Sequence, residues 1–131
     1  MPIIDSDILI GILRGEEDAA KTVRKLESEN QRIGTTVINA YELLLGALLH
    51  SKPEEKLPQA ESLLNSLILY SLNPPSSWVA ARISSKLLKR GEMIDFQDIS
   101  IASIALTNNE TLITRNLKHF RRIEGLKIKE W

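Results

Sequence analysis

The chain contains no cysteine, which removes disulfides, thiolate metal sites and a cysteine nucleophile at once. Histidine is nearly absent as well, with only His50 and His119, so a zinc centre built on nitrogen and sulfur ligands is not expected. Aromatic residues are scarce, and the apolar stock is aliphatic: 20 Leu and 16 Ile against two Phe. That supply implies a helix-rich, leucine-packed core. No apolar run approaches the ~18 residues of a membrane span, so no membrane association is expected. Neither sign of charge is in excess, with 17 Lys and Arg against 17 Asp and Glu, which excludes a wholesale polycation but not a local basic patch. Asp5 and Asp7 stand where a secretory leader carries positive charge. Together with the missing cysteines they make a cytoplasmic location the expectation.

What remains is a chain of 131 residues, a length that predicts one domain over 1–131. No internal repeat, linker or low-complexity tract interrupts it. Short apolar runs at residues 2–6, 33–35, 68–72, 111–114 and 126–128 read as strands. Between them lie helical patterns at 7–13, 16–30 and 36–50, with Thr36 as N-cap, then at 57–67, 76–91 and 95–106. Pro53 breaks the chain, and Pro58 argues for a helix start at that point. Strands alternating with helices predict an α/β fold, a three-layer α/β/α sandwich around a mainly parallel sheet of four or five strands. Ligands of such sheets bind beyond the carboxyl ends of the strands, which directs attention to Asp5, Thr35, Ser71 and Thr114.

Three carboxylates stand out on separate elements. Asp5 ends the first strand, where it is equally an N-cap for the next helix. Glu42 is the only charge within residues 40–49 and shares a helical face with Ile38, Leu45, Gly46 and Leu49. That face is expected to be buried, where an ionised carboxylate needs a partner or a metal; the alternative is a narrow polar strip with Asn39. Asp98 lies on the stripe of Ile101, Ala102 and Ala105, and an acid three residues into a helix capped by Asp95 also favours the helix dipole. Gathered together without a counter-ion, these acids would repel one another. A divalent cation with oxygen ligands removes the conflict, and magnesium, or manganese, fits an all-oxygen site. Such an ion activates water in phosphodiester hydrolysis. Residues Arg115 to Lys129 add six basic residues (Arg115, Lys118, Arg121, Arg122, Lys127 and Lys129) against the single acid Glu124. The run is either a solvated face or, beside an acidic cleft, a track for phosphates.

The segments Ile4–Ile10, Thr36–Ala47, Gly91–Ala102 and Thr111–Phe120 with Ile123–Leu126 resemble, in order, the successive motifs of PIN-domain proteins. The single-domain length and the Thr-Arg-Asn-Leu-Lys-His-Phe segment at 114–120 are most similar to VapC-type toxins. The resemblance implies a magnesium-dependent endoribonuclease, usually a homodimer, acting on RNA and silenced by a cognate VapB-type antitoxin. Carried over residue by residue, it implies Asp5, Glu42 and Asp98 as the acidic positions, with Asp98 rather than Asp95 lying four residues before Ala102. Asp5 and Asp98 are then metal ligands, with Glu42 bound directly or through water. The fourth acidic position falls on Asn116, a neutral variant that leaves one or two ions open. Asp7, Thr114 and Asn39 are expected behind the ligands, and Arg115, Lys118, Arg121 and Arg122 along the RNA.

Three other readings compete. Asp5-Ser6-Asp7 resembles the Asp-x-Asp start of haloacid-dehalogenase-like phosphatases, but Leu9 stands where that motif has Thr or Val and no Asp-Asp pair follows. A receiver-like module requires an Asp at the end of the third strand, where this chain has Tyr70-Ser71-Leu72. A catalytically silent PIN-like domain that only binds RNA or protein keeps the same acids and differs only in activity.

Overall fold

In the computed structural model, which describes residues 1–131, the elements run β1 (Ile3–Ile4), α1 (Ser6–Leu13), α2 (Glu17–Ser28), β2 (Gly34–Thr36), α3 (Val37–Leu49) and α4 (Pro53–Asn65). They continue through β3 (Ile68–Tyr70), α5 (Pro74–Lys89), α6 (Phe96–Thr107), β4 (Leu112–Ile113), α7 (Leu117–Phe120) and β5 (Ile128–Lys129). All strands are parallel, in the order β3-β2-β1-β4-β5. Their carboxyl ends therefore share one edge.

The layering follows from the two-residue period of a strand. Ile3 faces one way and packs with Ala80, Leu87, Ile99 and Ile104 of α5 and α6. Ile4 faces the other way and packs with Ile8, Leu26, Leu43 and Leu64 of α1 to α4. Leu112 and Ile113 of β4 divide between the same two cores. The two-residue strands β1 and β4 are thus buried on both faces, the pattern of an all-parallel sheet, and the α/β/α sandwich expected from the sequence is the architecture observed.

Local chemistry sets the boundaries. Thr36 caps α3 through a reciprocal box: its hydroxyl accepts the Asn39 N–H, while the Asn39 side chain accepts the Thr36 N–H. Gly15, at φ 73°, stops α1 in the left-handed conformation that glycine adopts freely. The helix expected to start at Pro58 starts instead at Pro53, which occupies its first turn. Proline is suited to that position because the amide hydrogen it lacks has no helical partner there. Pro58 lies inside the helix, where the amide hydrogen it lacks leaves one i→i−4 hydrogen bond unmade. The fifth strand lies at Ile128–Lys129, two residues later than its expected start at 126, and the four-residue α7 has no counterpart in the sequence pattern.

Candidate active site

Asp5 follows β1 directly and takes the N-cap position of α1. It is only 7% exposed. Its Oδ1 accepts from the Ser6 N–H at 2.8 Å and from Asn39 Nδ2 at 2.8 Å, and its Oδ2 accepts from the Thr114 hydroxyl at 2.7 Å. The two sequence-based alternatives for Asp5 therefore coexist, since the cap is also the carboxylate at the ligand edge. Burial is the main force raising its pKa from 3.8 to about 6, with the neighbouring charges of Asp7 and Glu42 adding to it; the Thr114 and Ser6 hydrogen bonds oppose the rise.

Asn39, fully buried, is the hub of the site. One amide hydrogen goes to Asp5 and the other to Ser6 Oγ at 2.8 Å, while its oxygen is held by Thr36. Ser6 in turn donates to Glu42 Oε1 at 2.8 Å. One asparagine thus fixes the order Asp5, Ser6, Glu42. Partial burial raises the Glu42 pKa, Ser6 lowers it, and the charges of Asp98 and Asp7 raise it further.

Glu42 is not on a core-facing surface, contrary to the expectation from its neighbours. Leu45 is 40% exposed and Leu49 77%; the buried face of α3 is Asn39, Ala40, Leu43 and Ala47. An apolar residue on every side of a helix leaves periodicity unable to choose the core face, and here the polar side chain of Asn39 turns inward.

Asp98 is the third residue of α6. Its Oδ2 is met by His119 Nδ1 at 2.8 Å and by Asn116 Nδ2 at 3.3 Å. Asn116 is tied back to the sheet edge by its N–H to Thr114 Oγ1 at 2.9 Å. Asp7 accepts on both oxygens, from Trp131 Nε1 at 3.0 Å and from the Arg115 N–H at 2.7 Å. Asp95 caps α6 by position only, with no side-chain bond. Thr35 donates its hydroxyl to the Ile4 carbonyl, which leaves it structural. His119 and Ser6 also belong to the site, as contacts of Asp98 and Glu42, and neither is singled out as a site residue by the sequence.

The site is therefore a line of carboxylates at the carboxyl edge of β1, β2 and β4, and no Lys or Arg forms an ion pair with Asp5, Asp7, Glu42 or Asp98. No three of them stand together as a ready-made ligand set. The donor chemistry is nonetheless that of a hard divalent cation: oxygens only, excess negative charge, and Asp5 and Glu42 held above their ordinary pKa by burial and neighbouring charge. Of the basic run, Arg115, Lys118, Arg121, Lys127 and Lys129 are exposed and Arg122 is half-buried. Arg122 binds the Glu92 carbonyl at 3.1 Å, Lys127 binds Asn109 at 3.0 Å, and Arg115 lies over the Trp131 ring at 3.5 Å. A hollow of about 520 Å³ between α2 and α4 is lined by none of the acids, which occupy the strand ends instead.

The chain matches known proteins in sequence and in fold. Residues 3–126 match the PIN domain. Ribonuclease VapC2 of Rickettsia felis is 26% identical over 129 residues, covering 98% of this chain and 96% of that protein. The tRNA(fMet)-specific endonuclease VapC of Salmonella typhimurium is 22% identical over 129 residues, with the same coverage. Among solved structures, VapBC2 from Rickettsia felis bound to a DNA fragment of its promoter superposes with a TM-score of 0.90 at 24% identity, over 98% of this chain and 97% of that one.

Proposed function

This chain belongs to the PIN-domain family, and on that premise we propose that it is a metal-dependent endoribonuclease, the toxin of a VapBC-type toxin–antitoxin pair. The observation that carries the reading is the row of carboxylates gathered from β1, α1, α3 and α6, none of them paired with a Lys or Arg. Relatives spanning nearly the whole chain are named ribonucleases, and the R. felis relative is solved as a VapBC complex.

Asp5 and Asp98 would hold the ion, magnesium or manganese, with Glu42 binding directly or through water. When bound, the ion supplies an activated water and stabilises the oxygen that leaves phosphorus. The chain's own residues set the stage. Asn39 and Ser6 align Asp5 and Glu42, Thr114 holds the inner oxygen of Asp5, and Asn116 with His119 fixes Asp98. The RNA backbone would pass along the exposed Arg115, Lys118 and Arg121 and the half-buried Arg122. Asp7 does not fit the acid of a dehalogenase-like phosphatase, because both its oxygens are already bound by Trp131 and Arg115.

A cognate VapB-type antitoxin is the expected protein partner. A homodimer is also expected, because Tyr41, Leu45, Leu48 and Leu49 leave an exposed apolar face on α3. On α4, by contrast, Leu57 and Leu63 pack against the core, as does Leu67 just beyond its end. Light scattering at tens of micromolar should give twice the monomer mass; a strict monomer would remove the homodimer from this account.

Incubating the purified protein with total RNA and magnesium tests the nuclease reading. Discrete fragments should appear with magnesium and vanish with EDTA. Intact RNA with the ion present would leave the chain as a binding module with an acidic edge.

A further inference from the structure

We propose that Trp131 and Arg115 are positioning residues: together they clasp the Asp7 carboxylate and so hold the turn that presents Thr114 and Asn116 to the acidic site. The inference rests on the nuclease reading for its kinetic consequence, but not for its geometry.

The geometry is a closed ring of three residues. The Trp131 indole N–H donates to Asp7 Oδ1 at 3.0 Å. The Arg115 backbone N–H donates to Asp7 Oδ2 at 2.7 Å. Arg115 and Trp131 then bind each other twice: the guanidinium lies 3.5 Å from the centre of the indole ring, and its Nε donates to the Trp131 carbonyl at 3.0 Å. Asp18 on α2 pairs with the same guanidinium at 3.6 Å. Gly11 on α1 lets α2 pack close, since a Cβ there would lie 2.8 Å from the Ala19 Cβ, while the indole edge would be at an ordinary contact distance of 3.6 Å.

The ring matters because of what flanks Arg115. Thr114 donates to Asp5 and Asn116 donates to Asp98, so the two residues beside the clasp contact two acids on two different elements. The strand that carries Trp131 into place, β5, is two residues long and pairs only with β4. So short an edge strand is a weak anchor by itself. Trp131 fastens its end to α1, and the turn between β4 and α7 is then held from both sides. Packing alone needs only an aromatic ring. Here the indole N–H is aimed at a carboxylate and the guanidinium at the carbonyl of the residue it stacks on. Both contacts are directional.

The deciding variants are Trp131→Phe, which keeps the ring and loses the N–H, Asp7→Asn, and the two combined. Two readouts are needed: amide hydrogen exchange at Arg115 and Asn116, and kcat against KM on an RNA substrate. In Trp131→Phe the Arg115 and Asn116 amides should exchange about tenfold faster while those of Leu112 and Ile113 stay protected, because only the turn is loosened. The kcat should fall about tenfold, the lower range for a residue that supports a metal ligand, with KM within about twofold. The combined variant should be no slower than Asp7→Asn alone, since the two act through one bond. Unchanged exchange at Arg115 and Asn116 in Trp131→Phe would overturn the clasp, whatever the enzyme does, and so would effects of the two substitutions that simply add. If exchange quickens as stated but the wild-type protein cleaves no RNA, the clasp stands and the nuclease reading falls. Arg115→Gln separates the remaining role: faster exchange at Asn116 with a lowered kcat supports the clasp, whereas a raised KM with kcat and exchange unchanged would leave the Arg115 side chain an RNA contact only and remove it from the clasp.

Discussion

Asp5→Asn is expected to abolish RNA cleavage, by about a thousandfold or more, and at the same time to raise the stability of the metal-free protein at neutral pH. The two effects have one origin. A carboxylate buried to 7% exposure beside Asp7 and Glu42 pays for its charge in the absence of an ion, and its pKa stands at about 6 against an ordinary 3.8. A displacement of that size costs on the order of 2–3 kcal/mol at pH 7. The sign follows from the proton count. Between pH 6 and 4 the folded state has taken up the Asp5 proton and the unfolded chain has not, so the cost is full above about pH 6 and relieved as the pH falls towards 4. The asparagine carries no charge at any pH. Its advantage over the wild type, measured by thermal or urea unfolding in EDTA, should be largest at pH 7 and shrink to nothing near pH 4. The hydrogen bonds allow the exchange. An amide oxygen can still accept from Ser6 and Asn39, and the Thr114 hydroxyl released from Oδ2 has Asp7 Oδ2 at 3.4 Å to turn to. A variant that is inactive and less stable at every pH would make Asp5 a structural cap and nothing more.

How much of this was legible beforehand depends on what fixes each residue. Asp5 and Asp98 were readable because each stands at the start of a helix beside an apolar strand or stripe, positions set by local pattern. Glu42 was readable as a lone charge in an apolar helix, but its direction was not. Residues 37–49 are apolar on several sides, and the choice of core face is made by Ala40, Leu43 and Ala47 packing into the layer beside Ile4. For Asn39 the residue pattern gave only a polar strip beside Glu42, and the place behind the ligands came from the family resemblance; it is fully buried and joins Asp5 to Ser6, because the Thr36 cap turns it inward. Trp131 and His119 were illegible for a different reason. Their partners Asp7 and Asp98 lie 124 and 21 residues away in sequence, and no local period encodes a contact made through the parallel order of strands β1, β4 and β5. The late start of β5 has the same cause, since its register is chosen by pairing with β4 and not by its own two residues.

Asp98→Asn should remove most of the magnesium-induced rise in melting temperature and reduce cleavage at least about a hundredfold. An ion that binds only the folded state stabilises it by about 2.7 kcal/mol at a hundredfold excess over its Kd, several degrees for a chain of this size. Asp98 is suited to supply part of that binding. Both of its side-chain contacts, from His119 and Asn116, fall on Oδ2, so one oxygen is anchored and the other is left without a protein donor. Asparagine offers two arrangements there, and neither serves. With its oxygen towards His119 it turns an N–H2 donor outward in place of an anionic acceptor; flipped, it keeps a neutral oxygen outward and sets its own N–H2 against Asn116 Nδ2. The fold should tolerate the change, because losing an acid from the first turn of α6 costs only about 0.3–1 kcal/mol of helix-dipole stabilisation. His119→Ala is the companion variant: it leaves the charge and removes the anchor, so magnesium should still raise the melting temperature, by less than in the wild type, while cleavage falls about tenfold. Differential scanning fluorimetry across a magnesium titration reads both. A full wild-type shift in Asp98→Asn would place the ion elsewhere on the acidic edge, and a full shift with wild-type cleavage in His119→Ala would reduce the histidine to an ion-pair partner on the rim.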